Sequence, residues 1–347
     1  MRVKIPLSGC LAGICIPLLL AAFCEWAEAQ NLPLPSTLPV IEQNRRPAES
    51  LFPSAYFMKY LAGVEARESA APYWVPAGPD TTREVKAGNE RLILLNNDIL
   101  AFYGHPLSVK MGILGRHSIE ELDAMLTKLA EEYNAANGER GVRKAFYIIY
   151  GTAWPEGEIG IIQEETLQRY IQYGIEKDIL VFIDHQIGRY KPVEAIKKLF
   201  PYLRYSNVHL ALDPEWRTTR PMREIGGVTA EEINEAQQLM SDYMREQNIH
   251  GERILMIHQF NWRMIQGREK VKNDYEGVQL VHCADGFGSP ATKRDSYAHN
   301  AQALNMPVKG FKLFYNFNIP GAGYDSPIMS PAEVFALKPR PYVIIYQ

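Results

Sequence analysis

Eight short apolar runs, spaced widely enough to hold helices and turns between them, constrain this chain more than any other feature. They are Ile99–Tyr103, Ala145–Tyr150, Ile179–Asp184, Val208–Leu212, Ile254–His258, Val278–Cys283, Phe311–Tyr315 and Tyr342–Tyr346, with starts 46, 34, 29, 46, 24, 33 and 31 residues apart. Runs apolar at successive positions indicate strands buried on both faces, as in a parallel sheet wrapped by helices. The intervening segments carry helix-start signals. Ser118-Ile-Glu-Glu121, Thr229-Ala-Glu-Glu232 and Ser330-Pro-Ala-Glu333 are capping boxes, in which hydroxyl and carboxylate each satisfy a free backbone donor. Pro331 at the first helical position strengthens the third.

Each spacing accommodates a strand, a helix and two loops, so the rhythm predicts an α/β fold, a (β/α)8 TIM-type barrel with an N-terminal extension. The strand count argues against a doubly wound sheet. The sequence leaves no room for a closing helix after the eighth strand, and a helix expected at Leu51–Ala66 is a candidate cover for that gap or for the barrel floor.

The expected organisation is a signal peptide at 1–29, a proline-rich tether and N-terminal extension at 30–90, and the barrel at 91–347. Arg2 and Lys4 precede an apolar run, Leu11–Phe23, and Ala27-Glu28-Ala29 fits a small-x-small cleavage pattern. Export therefore points to a secreted protein, extracellular, periplasmic or at the cell surface. The run is short for a membrane span, and none is expected in the mature chain. Of four cysteines only Cys283 lies beyond the leader, so neither an internal disulfide nor a thiolate metal cluster is expected. With 37 basic and 40 acidic side chains and a net charge of -3, the chain has no electrostatic footprint for nucleic acid. A monomer is expected.

In a barrel of this kind, residues just past the strand C-termini surround the active site. Polar and aromatic residues follow seven of the eight runs, with acids on three of them. Asp213-Pro-Glu215 is the sharpest feature: strand alternation places His209, Ala211, Asp213 and Glu215 toward the barrel axis. Two adjacent inward carboxyls cannot both ionise cheaply, which suits a general acid. The alternatives are that Asp213 caps a loop or pairs with Arg217. Asp184 and Asp285 are the candidate partners, since glycoside hydrolysis needs one carboxyl to protonate the leaving oxygen and one to attack or activate water. Asp285 could equally close a tight turn in Asp285-Gly-Phe-Gly288.

Trp154, Trp216 and Trp262 follow the second, fourth and fifth runs, where indole faces can stack on sugar rings. His105, His258, Gln259 and Tyr315 are further candidate substrate contacts. A rival reading assembles a metal site from His105, His185, His258 and His282 with Asp184, Asp213 and Asp285, but no ligand pair comes pre-spaced, so no metal or other cofactor is expected. Lys312 points into or out of its strand depending on register, and a Schiff-base role stays open. No nucleophile elbow, phosphate loop or dinucleotide fingerprint is present.

His209-Leu-Ala-Leu-Asp-Pro-Glu-Trp216, His258-Gln-Phe260, Asp285-Gly-Phe-Gly288, Lys312-Leu-Phe-Tyr315 and the Tyr346-Gln347 end together resemble a family of exported bacterial proteins, among them actinobacterial surface proteins and lipoproteins, over residues 99–347. The resemblance implies a glycosidase-like barrel and no specific activity. Asp213-x-Glu215 also resembles the end of the strand-four motif of chitinase-like glycosidases. The earlier aspartates of that motif are absent from Val208–Leu212, so their substrate-assisted mechanism does not carry over. The expected function is an exported glycoside hydrolase-like enzyme on a polysaccharide or glycoconjugate, with Glu215 as acid, Asp285 or Asp184 as base or nucleophile, and Asp213 tuning Glu215. The alternatives are a non-catalytic carbohydrate- or cell-envelope-binding barrel and a metal-dependent hydrolase.

Overall fold

The computed structural model describes residues 93–347. The expected signal peptide, the tether and extension, and the helix at Leu51–Ala66 lie outside the described residues. The eight runs form eight strands: β1 (Asn97–Gly104), β2 (Gly141–Ala153), β3 (Leu180–Gln186), β4 (Val208–Asp213), β5 (Arg253–Gln259), β6 (Val278–Ala284), β7 (Lys309–Leu313) and β8 (Pro341–Tyr346). Each pairs in parallel with the next, and β1 pairs with both β2 and β8, with Ile99 opposite Arg143 on one side and Val343 on the other. The ring is closed, so this is the (β/α)8 barrel, and closure leaves no strand edge unpaired.

Six helices follow strands among the described residues: α1 (Ile119–Ala136), α2 (Glu164–Lys177), α3 (Pro192–Lys197), α4 (Ala230–Glu246), α5 (Pro290–Ala301) and α6 (Pro331–Phe335). The three capping boxes form at Ser118, Thr229 and Ser330. None of these helices is long and apolar enough to cross a membrane.

One expectation fails. The segment between the fifth and sixth runs, whose starts are only 24 residues apart, holds no α-helix; two single 3-10 turns, Trp262–Met264 and Arg268–Lys270, take its place. The segment is too short to climb the barrel and return as a helix. Its backbone is satisfied by side chains instead: Asn305 donates to the carbonyls of Arg268 and Val271, Gln237 to that of Lys272, and Asn234 bridges Lys270 and Lys272.

Alternation splits each strand between two cores. Leu100, Phe102, Ile148, Leu210, Leu212, Leu255 and Ile344 face outward and join the helices in one apolar layer. Inside, Tyr147 stacks on Phe182 with ring centroids 5.0 Å apart, and Phe182 lies 5.1 Å from His209. The barrel is thus plugged by aromatic rings beneath its C-terminal mouth.

Candidate active site

The inward positions one layer above that plug carry the charge. Asp184 lies near the end of β3, Asp213 ends β4, His258 lies near the end of β5, Asp285 follows β6 and Lys312 lies on β7, all buried. Leu210 and Leu212 face the helices, so Asp213 faces the axis with His209 and Ala211, as alternation predicts. Glu215 reaches the same place differently: β4 stops at Asp213, and Pro214–Trp216 makes a 3-10 turn that holds Glu215 half-buried at the mouth.

These groups form one network. Tyr103, from the end of β1, donates its hydroxyl to Asp184 Oδ2 at 2.9 Å. Its ring lies under Lys312, whose Nζ is 3.8 Å from the centroid. Lys312 Nζ is 3.4 Å from Asp285 Oδ2. His258 Nδ1 is 2.8 Å from Asp285 Oδ1, and its Nε2 is 2.6 Å from the Tyr147 hydroxyl. Asp184 Oδ1 and Asp213 Oδ1 are buried and accept no hydrogen bond among the described residues.

The alternatives for two acids are therefore overturned. Arg217 binds Glu232 and the Gly227 carbonyl, not Asp213. Asp285 serves His258 and Lys312 instead of closing its own turn.

The shared environment drives the carboxyls apart. Burial raises Glu215 well above the ordinary carboxylate range, and the nearby Asp213 and Asp285 charges raise it further. Burial likewise pushes Asp213 up to about 7, with His258 opposing and Asp184 adding to the rise. Asp184 is raised by burial against the pull of His258 and Lys312. Asp285 goes the other way: burial would raise it, but His258 and Lys312 outweigh burial and hold it well below the usual range. Burial opposes the charge on His258 and on Lys312, and Asp285 overcomes it in both, so both are raised. The ground state is an ionised Asp285 clasped by two cations, beside three carboxyls that compete for protons. The acids around Lys312 favour its charged form, which works against a Schiff-base role.

The tryptophans lie on the loops that follow β2, β4 and β5. Trp154 and Trp262 are 57% and 65% exposed, the latter with the Arg263 guanidinium 5.3 Å from its ring, and Trp216 is half-buried. Their loops are tied together. Gly188 N donates to the Trp216 carbonyl at 3.0 Å, Arg189 N to Gly157 at 3.0 Å, and Gly157 N to Trp154 at 3.0 Å. Gly157 and Gly188 adopt φ of +75° and +65°, and a Cβ on Gly188 would sit 2.3 Å from the Gly157 carbonyl oxygen, so this junction requires glycine. On the other side Val228 pairs with Ile265, joining the Trp216 loop to the Trp262 loop.

Other expected contacts need correction. His258 does not line an open cleft; it is fully buried and acts through Asp285 and Tyr147. Gln259, one residue on, turns outward, where its Oε1 lies 2.8 Å from His282 Nε2. Tyr315 packs on Tyr346 and Phe317, at 5.2 and 5.8 Å, in the layer outside the sheet. His105 sits half-buried after β1 and accepts a hydrogen bond from Leu107 N at 3.1 Å, holding its own loop.

The histidine-rich metal set does not assemble. His185 lies against Tyr150 on the helix side and His282 against Gln259 and Lys309, so neither reaches the axis. His258, Cys283 and Asp285 do offer donor atoms within 4.8 Å of one another. Lys312 already neutralises Asp285 there, and burial pushes the Cys283 thiol well up, so the trio fits a cation poorly.

Tyr103 and Tyr147 belong to the site and were not among its expected members, and Lys312, whose facing was left open, joins them. Period-two alternation from the outward Phe311 and Leu313 places Lys312 inward, a signal present in the sequence.

No protein-family profile matches the chain, and a search of curated proteins gives no match. Solved structures with a similar chain path include an oxaloacetate acetylhydrolase in complex with the product oxalate, with a TM-score of 0.42, 13% identity, and 74% of this chain and 78% of that one covered. A family 18 chitinase from Crocus vernus gives 0.40, 10%, 72% and 92%. A GH5 family lichenase from Caldicellulosiruptor sp. F32 gives 0.36, 11%, 79% and 90%.

Proposed function

We propose that the chain is an exported glycoside hydrolase-like enzyme that cleaves a polysaccharide or glycoconjugate by carboxylate general acid/base chemistry. The observation that carries this reading is the gathering of Asp184, Asp213, Glu215 and Asp285 at one end of the barrel, where Asp285 is tied by His258 and Lys312 and Asp184 keeps one oxygen unpartnered, an arrangement that drives the carboxyls apart in proton affinity. Glu215 is the acid that protonates the leaving oxygen, and Asp213 tunes it. Both oxygens of Asp285 are engaged by His258 and Lys312, which makes Asp285 the fixed counter-charge. Asp184, anchored through one oxygen by Tyr103 with the other unpartnered, is the better placed base or nucleophile. Trp154, Trp216 and Trp262 hold sugar rings along the rim. The leader-like residues 1–29 support export. A purely binding barrel is less favoured, because no arginine occupies Asp184, Asp213 or Glu215 among the described residues.

The test is release of new reducing ends from a panel of purified cell-wall and plant glycans. Binding of a glycan without cleavage of any would turn the reading into the non-catalytic one.

A pH profile follows. Glu215 acts while protonated and Asp184 while ionised, and both are raised, so kcat/KM should climb as Asp184 loses its proton and fall as pH rises through the raised Glu215 value. Asp213→Asn removes a like charge, so the alkaline limb should move to lower pH. A limb unmoved by that substitution would separate Asp213 from Glu215.

A further inference from the structure

Two atoms in the mouth are unexplained by the network around them. Asp184 Oδ1 and Asp213 Oδ1 sit on side chains only 0% and 2% exposed, and neither has a partner among the described residues. A buried acceptor left without a donor is costly, so such atoms mark a place kept for a donor from outside. Asp184, Asp213, Glu215 and Asp285 compete here for protons and cations, and the two cations of the network, His258 and Lys312, are both committed to Asp285. Lys312 is further held over the Tyr103 ring. A ligand hydroxyl satisfies an orphan acceptor but brings no charge. An ammonium group satisfies both demands, and a water-poor site raises the value of the pairing.

We infer that the site takes glycans bearing free amino groups, with a sugar ammonium seated between Asp184 and Asp213. This names the substrate class of the proposed glycan cleft and rests on that reading. The rim supports the polymer, since stacking tryptophans are indifferent to the ring substituent, while the acids below select it. An acylated amine offers one N–H and no charge, so it is the discriminating comparison.

The experiment measures calorimetric binding to the Glu215→Gln variant, which prevents turnover during titration. The probes are β-1,4-linked oligomers of equal length: glucosamine, N-acetylglucosamine and glucose. The glucosamine oligomer should bind at least about tenfold more tightly than either neutral one, a difference of roughly 1.4 kcal/mol. Adding Asp213→Asn, or separately Asp184→Asn, should shrink that preference to about threefold or less and leave binding of the glucose oligomer in place. Two separate substitutions guard against one failing to fold, which a melting curve reports. Equal affinities, preference for a neutral oligomer or no binding of any of the three would overturn the inference. Amino-sugar preference without hydrolysis by the unmodified protein would remove the hydrolase reading alone. Hydrolysis of neutral glucans with no amino preference would remove the ligand class alone.

Discussion

Replacing Glu215 by Gln should lower kcat on a cleaved glycan by about two to four orders of magnitude, the usual range for loss of a proton-transfer group. The substitution keeps shape and removes only the transferable proton. Glu215 is the one acid of the cluster that opens to the mouth, at the C-terminal end of β4 where substrate enters. Its environment is adapted to holding a proton: burial, then Asp213 and Asp285, all raise it. The fold should not suffer, and the sign of the stability change is informative. A carboxyl whose folded pKa exceeds its unfolded value favours the fold when protonated. That contribution is complete below the unfolded value and disappears as pH rises through the folded one. At pH 8 Glu215 is therefore a liability, which the Gln variant lacks, and its melting temperature there should equal or exceed that of the unmodified protein. A rate within tenfold of the original would remove Glu215 from the role. A fall in rate with a lowered melting temperature would mean that the substitution acted through the fold.

The barrel was legible because its signal is redundant. Eight apolar runs at helix-permitting intervals admit few closures, and the capping hydroxyls at Ser118, Thr229 and Ser330 start helices where periodicity places them. The acids were legible because strand C-termini converge in any such ring. What the sequence left open was facing. In a strand buried on both sides, polarity does not mark the inner face, so Asp184 and His185 look equally eligible, as do His258 and Gln259. The structure turns Asp184 and His258 inward and His185 and Gln259 outward. Where the outward member was also credited, Gln259 as a substrate contact and His185 in the metal reading, its side chain is consumed by the layer outside the sheet. Buried tyrosines escaped for the opposite reason. Tyr103 and Tyr147 read as apolar strand residues, yet their hydroxyls orient Asp184 and His258. The missing helix between β5 and β6 was a matter of length, since runs that start only 24 residues apart leave too few after the loops that return the chain to the sheet.

The largest effect on stability should come from the opposite end of the barrel. Asp98, at the start of β1 and 1% exposed, joins the two strands that flank β1 in the closed ring. Arg340, just before β8, grips both its oxygens at 2.6 Å, and Arg140, just before β2, donates to Oδ1 at 3.0 Å. Arg140 also ties down the carbonyls of Leu94 at 2.7 Å, Leu95 at 2.9 Å and Asn97 at 2.6 Å. One carboxylate thus compensates two guanidinium groups at the seam where the last strand meets the first. Asp98→Ala takes the shared carboxylate away from both cations, Arg140 nearly buried, and removing one partner of a buried ion pair costs about 3–5 kcal/mol. For a domain of this size each kcal/mol shifts the melting temperature by about 2–4 °C, so a fall of about 10 °C is expected. Arg340→Met should cost less alone, because it removes a charge instead of stranding two. Combined with Asp98→Ala it should cost less than the sum of the separate effects, since the second substitution relieves part of what the first exposes. Additive costs, or an Asp98→Ala loss below about 1 kcal/mol, would show that strand pairing and the apolar layer close the ring without the clasp.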